Sequence, residues 1–248
     1  MTTWLGFRLV KLLGISLFAA GCIGGGLATT RRDRAVFAYG AGTVGWLTSW
    51  ITGYGLLKVG GHEMSDPWIS AGMGWSFLAL LGAVMSAQGP RNPLWAGLSV
   101  AGLCGAVAVM GIHAFESVQL VALASAVVGG TGAAAWVLWT RTSEPDEPQD
   151  LEAVHTWFDW LSRLEGLSLL ALFGVYMPAK YGFGVELDGG QGWFGWVHGM
   201  LFVLYVVALL VVWRTARWSI AQTAAGFVAS LLPFGTFVFE ARSRRWRT

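Results

Sequence analysis

Apolar residues run along this chain in long blocks, without the one-in-two alternation that marks strands. Eight blocks stand out, at roughly 5–28, 35–57, 68–87, 94–112, 117–140, 157–177, 193–213 and 218–239. Most approach or exceed the 18 or so residues that carry a helix across a hydrocarbon core. In lipid, backbone N–H and C=O groups have to be satisfied within their own segment, so such blocks predict helices. The pattern therefore predicts an all-α fold, a polytopic transmembrane bundle of about eight membrane-spanning helices.

The polar stretches between the blocks divide the chain. TTRRDR (29–34) is basic, KVGGHEMSDP (58–67) holds a Gly-Gly turn, and QGPRNP (88–93) is a proline-rich turn. Pro67 suits the first turn of the helix that follows it. HAFES (113–117) is short, which predicts an antiparallel pair on either side of it. RTSEPDEPQDLEAV (141–154) is the longest acidic, proline-containing stretch and reads as a linker. The expected organisation is a five-helix transmembrane unit over 1–141, an acidic linker over 142–154, and a three-helix unit with a basic tail over 155–248.

Small residues recur at four-residue spacing in the first unit: Gly21 and Gly25, then Gly97, Ala101 and Gly105. In lipid, packing rather than hydrophobicity drives helix association, and small residues let backbones approach closely. The expectation is a tight bundle.

Composition agrees with a membrane class. Hydrophobic residues make up 55% of the chain and charged residues only 12%, against about 25% charged in soluble domains. Mean hydropathy is +0.57. The first block lacks a strongly basic leader and is followed at once by further spans, so it is expected to stay in the mature protein. Many of the fifteen tryptophans stand near block ends, where indole favours the membrane interface. Cys22 and Cys104 lie inside apolar blocks and read as packing residues.

Net charge is +2. The basic residues flank apolar blocks, which argues against a nucleic-acid partner. With eight spans, sixteen basic residues divide eight against eight between the two sides, so the positive-inside rule gives a tie. A re-entrant last block, turning around Pro233, changes the division to twelve against four, with the richer side cytoplasmic.

Chemistry concentrates in the C-terminal unit. Arg163, Glu165, Lys180 and His198 are ionisable residues inside or at the ends of apolar blocks. Such residues are expensive in lipid and mark candidate sites. At 1.5 Å per residue, Glu165 lies about 12 Å deep from one side and His198 about 9 Å from the other. A direct bond between them then needs offset helices or a bridging water. Lys180, after Pro178, reaches either outward to the surface or inward. Interhelical hydrogen bonding that fixes packing is the alternative reading of the same four residues.

The same stretch carries four ordered motifs: Glu165, Gly166 and Ser168; Met177, Pro178, Lys180 and Tyr181; Gly195, Trp196, His198, Gly199, Leu201, Phe202 and Tyr205; and Ala229, Ser230, Leu231, Pro233, Phe234, Gly235, Thr236 and Phe237. On these residues, 163–245 resembles a bacterial integral-membrane domain family of unknown function, the YdzA-like proteins. The resemblance implies a three-span membrane domain and brings no activity with it. Arg163 departs from the pattern, standing closer to the glutamate than the family's arginine does.

A second reading, from another class, uses His62, His113 and His198 as metal or haem ligands clustered toward one membrane face. No HExxH or CxxCH motif supports it. Phosphate-binding glycine loops are absent, and the serines near 45–50 and 124–130 have no neighbouring base for nucleophilic catalysis. The leading expectation is a non-enzymatic, multi-pass protein of a bacterial inner membrane. Its partners are the lipid bilayer and a second membrane protein or copy of itself. Its polar intramembrane site takes a small solute, a lipid headgroup or a partner helix. Its cofactors are left unassigned.

Overall fold

The computed structural model describes residues 2–64, 66–111, 118–140, 151–187 and 192–246. Among these residues the regular structure is helical, without strands. The chain forms two compact units, Met1–Glu147 and Pro148–Thr248. Most of the expected linker over 142–154 lies outside the described residues, and helix already begins at Leu151.

The first unit contains α1 (Thr2–Leu27), α2 (Arg31–Ala35), α3 (Thr43–Gly60), α4 (Pro67–Ala87), α5 (Pro93–Gly111) and α6 (Val118–Trp139). A π-helical stretch, Val36–Gly42, joins α2 to α3 with helical backbone angles at both joints, so 31–60 forms one continuous rod. The glycines act as predicted. A side chain at Gly21 would collide with the Gly42 backbone, and one at Gly97 would press on the Gly130 carbonyl. Outward faces of α1 and α6 are apolar, with Leu12, Leu13 and Val128 exposed. Exposed apolar surface on this scale suits lipid rather than water.

Two arginines from the connecting stretches are buried here. Arg34 donates to the Ser86, Ala28, Thr29 and Gly89 carbonyls at 2.8–3.3 Å. Arg91 donates to the Leu27 carbonyl at 2.6 Å and to the Thr140 carbonyl and hydroxyl at 3.0 and 2.8 Å. These acceptors lie at or just past the ends of α1, α4 and α6, where carbonyls lack helical partners and the helix dipole favours a cation.

The second unit contains α7 (Leu151–Ala171), α8 (Trp193–Thr215), α9 (Ile220–Ala229) and α10 (Gly235–Ser243). Two π-helical stretches, Leu172–Tyr176 and Pro178–Gly182, extend α7. Helix α9 starts on a capping box: Gln222 N–H donates to Ser219 Oγ at 3.2 Å, and Ser219 N–H to Gln222 Oε1 at 2.7 Å.

Among the described residues, five helical segments are long and apolar enough to cross a membrane: Leu5–Leu27, Pro67–Ala87, Pro93–Met110, Leu120–Trp139 and Trp193–Thr215. The blocks at 35–57 and 157–177 are helical but interrupted by π turns. The block at 218–239 departs from the eight-span expectation. Pro233 has no N–H to continue a helix, and Phe234 takes a left-handed φ of 65°. The chain folds back there. Trp218, before α9, meets Phe239 at 5.8 Å and Trp246 at 5.5 Å between ring centroids. A straight helix would hold residues 218 and 239 about 30 Å apart. Helices α9 and α10 therefore form a hairpin whose two ends lie together.

Candidate functional site

The hairpin packs on α7 and α8 through an aromatic core of Phe158, Tyr205, Trp218 and Phe239, all buried. Lipid is as apolar as these rings, so their contribution is close packing rather than escape from solvent. Helix α7 approaches α10 closely at Gly166. A side chain added there would strike Thr236 Oγ1 and the Phe237 ring.

That approach encloses Glu165. The residue is fully buried, and neither carboxyl oxygen has a hydrogen-bond partner. The Thr236 hydroxyl neighbours the carboxyl but falls outside hydrogen-bonding geometry, and it too lacks a partner. Tyr205 is near enough to feel the carboxylate charge, yet its hydroxyl is already engaged, donating to the Gly226 carbonyl at 2.9 Å.

One turn along α7, the Ser168 hydroxyl lies 2.7 Å from the Glu165 backbone carbonyl and 3.0 Å from His198 Nδ1 on α8. Which of the two donates in the Ser168–His198 bond is set by the imidazole tautomer. The other ring nitrogen, Nε2, makes no hydrogen bond among the described residues. Ser168 thus links His198 to the backbone of the Glu165 turn, and no direct bond joins the Glu165 carboxyl to His198 among the described residues. Beside His198, the Gly199 position is open: a side chain there would meet nothing within 4 Å.

The other two residues of the expected site lie elsewhere. Arg163 is held by Glu240 of α10, donating from Nη2 to Oε1 at 2.7 Å and from Nε to both oxygens at 3.1–3.2 Å. Arg244 donates to the same Oε1 at 2.7 Å and lies 4.0 Å from Asp159. Burial pushes the Glu240 carboxyl up. The hydrogen bonds and charges of Arg163 and Arg244 outweigh that and hold it below the ordinary glutamate value. This carboxylate closes the hairpin onto α7. It was missed because it falls just past the last apolar block, where it resembles part of a flanking tail. Lys180, at the far end of the α7 rod, stands 3.9 Å from Glu186 and over the Tyr176 and Tyr181 rings.

The histidine reading fares differently. His62 pairs with Asp66 at 3.4 Å and meets the Trp68 ring edge-on. His113 lies outside the described residues. Among the described residues, no three His, Cys, Asp or Glu side chains gather closely enough to hold a metal ion.

Comparison with known proteins now places this unit. Residues 155–245 match the domain of unknown function DUF3817. The chain is 38% identical over 81 residues to the uncharacterized membrane protein YdzA of Bacillus subtilis (strain 168), covering 82% of that protein and 33% of this chain. The chain belongs to the DUF3817 family. The match spans α7, α8 and the hairpin, so every residue of the Glu165 region and of the Glu240 clamp falls within the family's domain. No solved structure matches the chain. It is a multi-pass membrane protein, and its DUF3817 domain carries the candidate site.

Proposed function

We propose that this protein is a non-enzymatic inner-membrane protein of a bacterium. Its DUF3817 domain binds a small solute with a cationic or hydrogen-bond-donating group at Glu165. The observation that carries the reading is a fully buried carboxyl whose two oxygens lack partners. Such a group costs roughly 2 kcal/mol or more in an apolar interior unless a proton or a bound donor answers it. The Thr236 hydroxyl, beside the carboxyl and likewise without a partner, supplies a further polar atom for the same guest.

The test is a thermal-shift titration of the detergent-solubilised full chain with ammonium, methylamine and sodium ions. A ligand that binds the folded state raises the melting temperature with concentration. At least one probe is expected to do so in wild type, with no response in Glu165→Gln and a weaker one in His198→Ala. If no probe shifts wild type, and both variants match it in protein level, stability and phenotype, the reading fails.

A second reading, a partner helix, is favoured by Gly195 and Gly199. They stand four apart on α8, and a side chain at either would meet nothing within 4 Å. Close packing through such a pair is a recurrent membrane contact. A Gly199→Leu variant that loses a cross-linked dimer or a co-purifying protein supports this reading. Unchanged cross-linking removes it.

A further inference from the structure

The returning arm of the hairpin leaves two arginines uncommitted. Arg163 and Arg244 are engaged by Glu240, and Arg244 also approaches Asp159. Arg242 and Arg245 are exposed and have no ion pair or hydrogen bond among the described residues. They stand three apart, on neighbouring turns of one face. With Val238, Ala241 and Trp246 they line an open cavity of about 570 Å³.

Trp246 is the aromatic residue lining this cavity. Trp246 packs edge-on against Trp218 at 5.5 Å and against Phe239 at 5.7 Å. Trp218 is buried, and its indole N–H has no acceptor. Because the hairpin returns, exposed Arg217, next to Trp218, belongs to the same end as Arg242 and Arg245. This end of the unit is therefore rich in arginine, with Glu152, Asp159 and Glu240 as its acidic residues, whereas the far end of the α7 rod carries Lys180 paired with Glu186. Indoles mark headgroup depth, and clustered arginines mark the cytoplasmic leaflet.

From the cavity, the two uncommitted guanidiniums and the Trp246 indole, we propose that Arg242 and Arg245 form a binding site for the phosphate of an anionic phospholipid in the cytoplasmic leaflet. Each guanidinium presents forked donors that match phosphate oxygens. Val238 and Trp246 lie against the glycerol and upper acyl chain. The site is separate from Glu165 and does not depend on its having a ligand.

The test uses the full-length protein in neutral detergent, titrated with short-chain phosphatidylglycerol and phosphatidylcholine, with bound lipid counted by native mass spectrometry. Wild type is expected to favour phosphatidylglycerol. Arg242→Gln/Arg245→Gln is expected to weaken its binding about tenfold or more, since each basic group near an anionic surface contributes appreciably. The Arg242→Lys/Arg245→Lys variant retains part of the preference, and Glu165→Gln leaves it intact. A melting temperature equal to wild type shows that the glutamine variant is folded. Equal affinity for the two lipids, or full phosphatidylglycerol binding by a folded glutamine variant, overturns the proposal. Displacement of the lipid by millimolar inorganic phosphate also overturns it, by identifying a free-anion site instead.

Discussion

Glu165 differs from the other buried charges in having no assigned answer. Arg34 and Arg91 satisfy helix-end carbonyls, and Glu240 accepts from two arginines. A buried polar group without a partner destabilises the fold that contains it, by roughly 1–3 kcal/mol in protein mutational data. Replacing Glu165 with leucine is therefore expected to raise the melting temperature of ligand-free protein while abolishing any response to the amine and cation probes. A melt below that of wild type would mean that the carboxyl supports the fold, and the binding reading would lose its basis. The candidate site was partly legible at this scale. Ionisable residues inside apolar blocks pointed to Glu165 and His198. Ser168, which joins their neighbourhoods, carries no charge and so gave no comparable signal. Arg163 was drawn into the expected site because two residues along a helix are near in sequence, although they turn to different faces.

At the scale of elements, α7 and α10 are joined by a steric fit and a charge clamp. The fit is Gly166 against Thr236 and Phe237. Gly166→Ala is expected to destabilise the domain by about 1–3 kcal/mol through overpacking, measurable by thermal melting in detergent. An unchanged melt would show that α10 can yield. The clamp is Glu240, whose depressed carboxyl gives a pH signature. A group held below its unfolded value contributes stability that is complete above that unfolded value and is lost as pH falls through the folded one. Glu240→Gln is therefore expected to melt below wild type at neutral pH, with the gap narrowing on acidification. A gap that is constant with pH would assign the loss to packing alone. Arg163 and Arg244 are about half-exposed, so solvent screening limits the contribution of each pair.

For the whole molecule, the hairpin decides where the tail lies. Single cysteines placed at Arg217 and Arg242 are expected to react with an impermeant thiol reagent from the same side of sealed vesicles, and one at Lys180 from the opposite side. Labelling of 217 and 242 from opposite sides would restore the straight eighth span. The family comparison adds a second expectation. The family model matches residues 155–245, within the second unit, and the chain covers 82% of YdzA. Residues 148–248 expressed alone are thus expected to insert into membranes and to melt cooperatively in detergent. Aggregation of that fragment would show that the first unit is needed for folding.

The sequence by itself determined the solvent and the class of element. Long apolar blocks admit little but helices in lipid, because the backbone has nowhere else to bond. It also determined the close glycine packing and the family motifs. The tertiary structure alone decided that the last block turns back at Pro233, that Glu240 receives Arg163, and that Arg34 and Arg91 face inward. Each of these depends on which surfaces meet across helices, and hydropathy along one strand of sequence is blind to the partner a side chain finds.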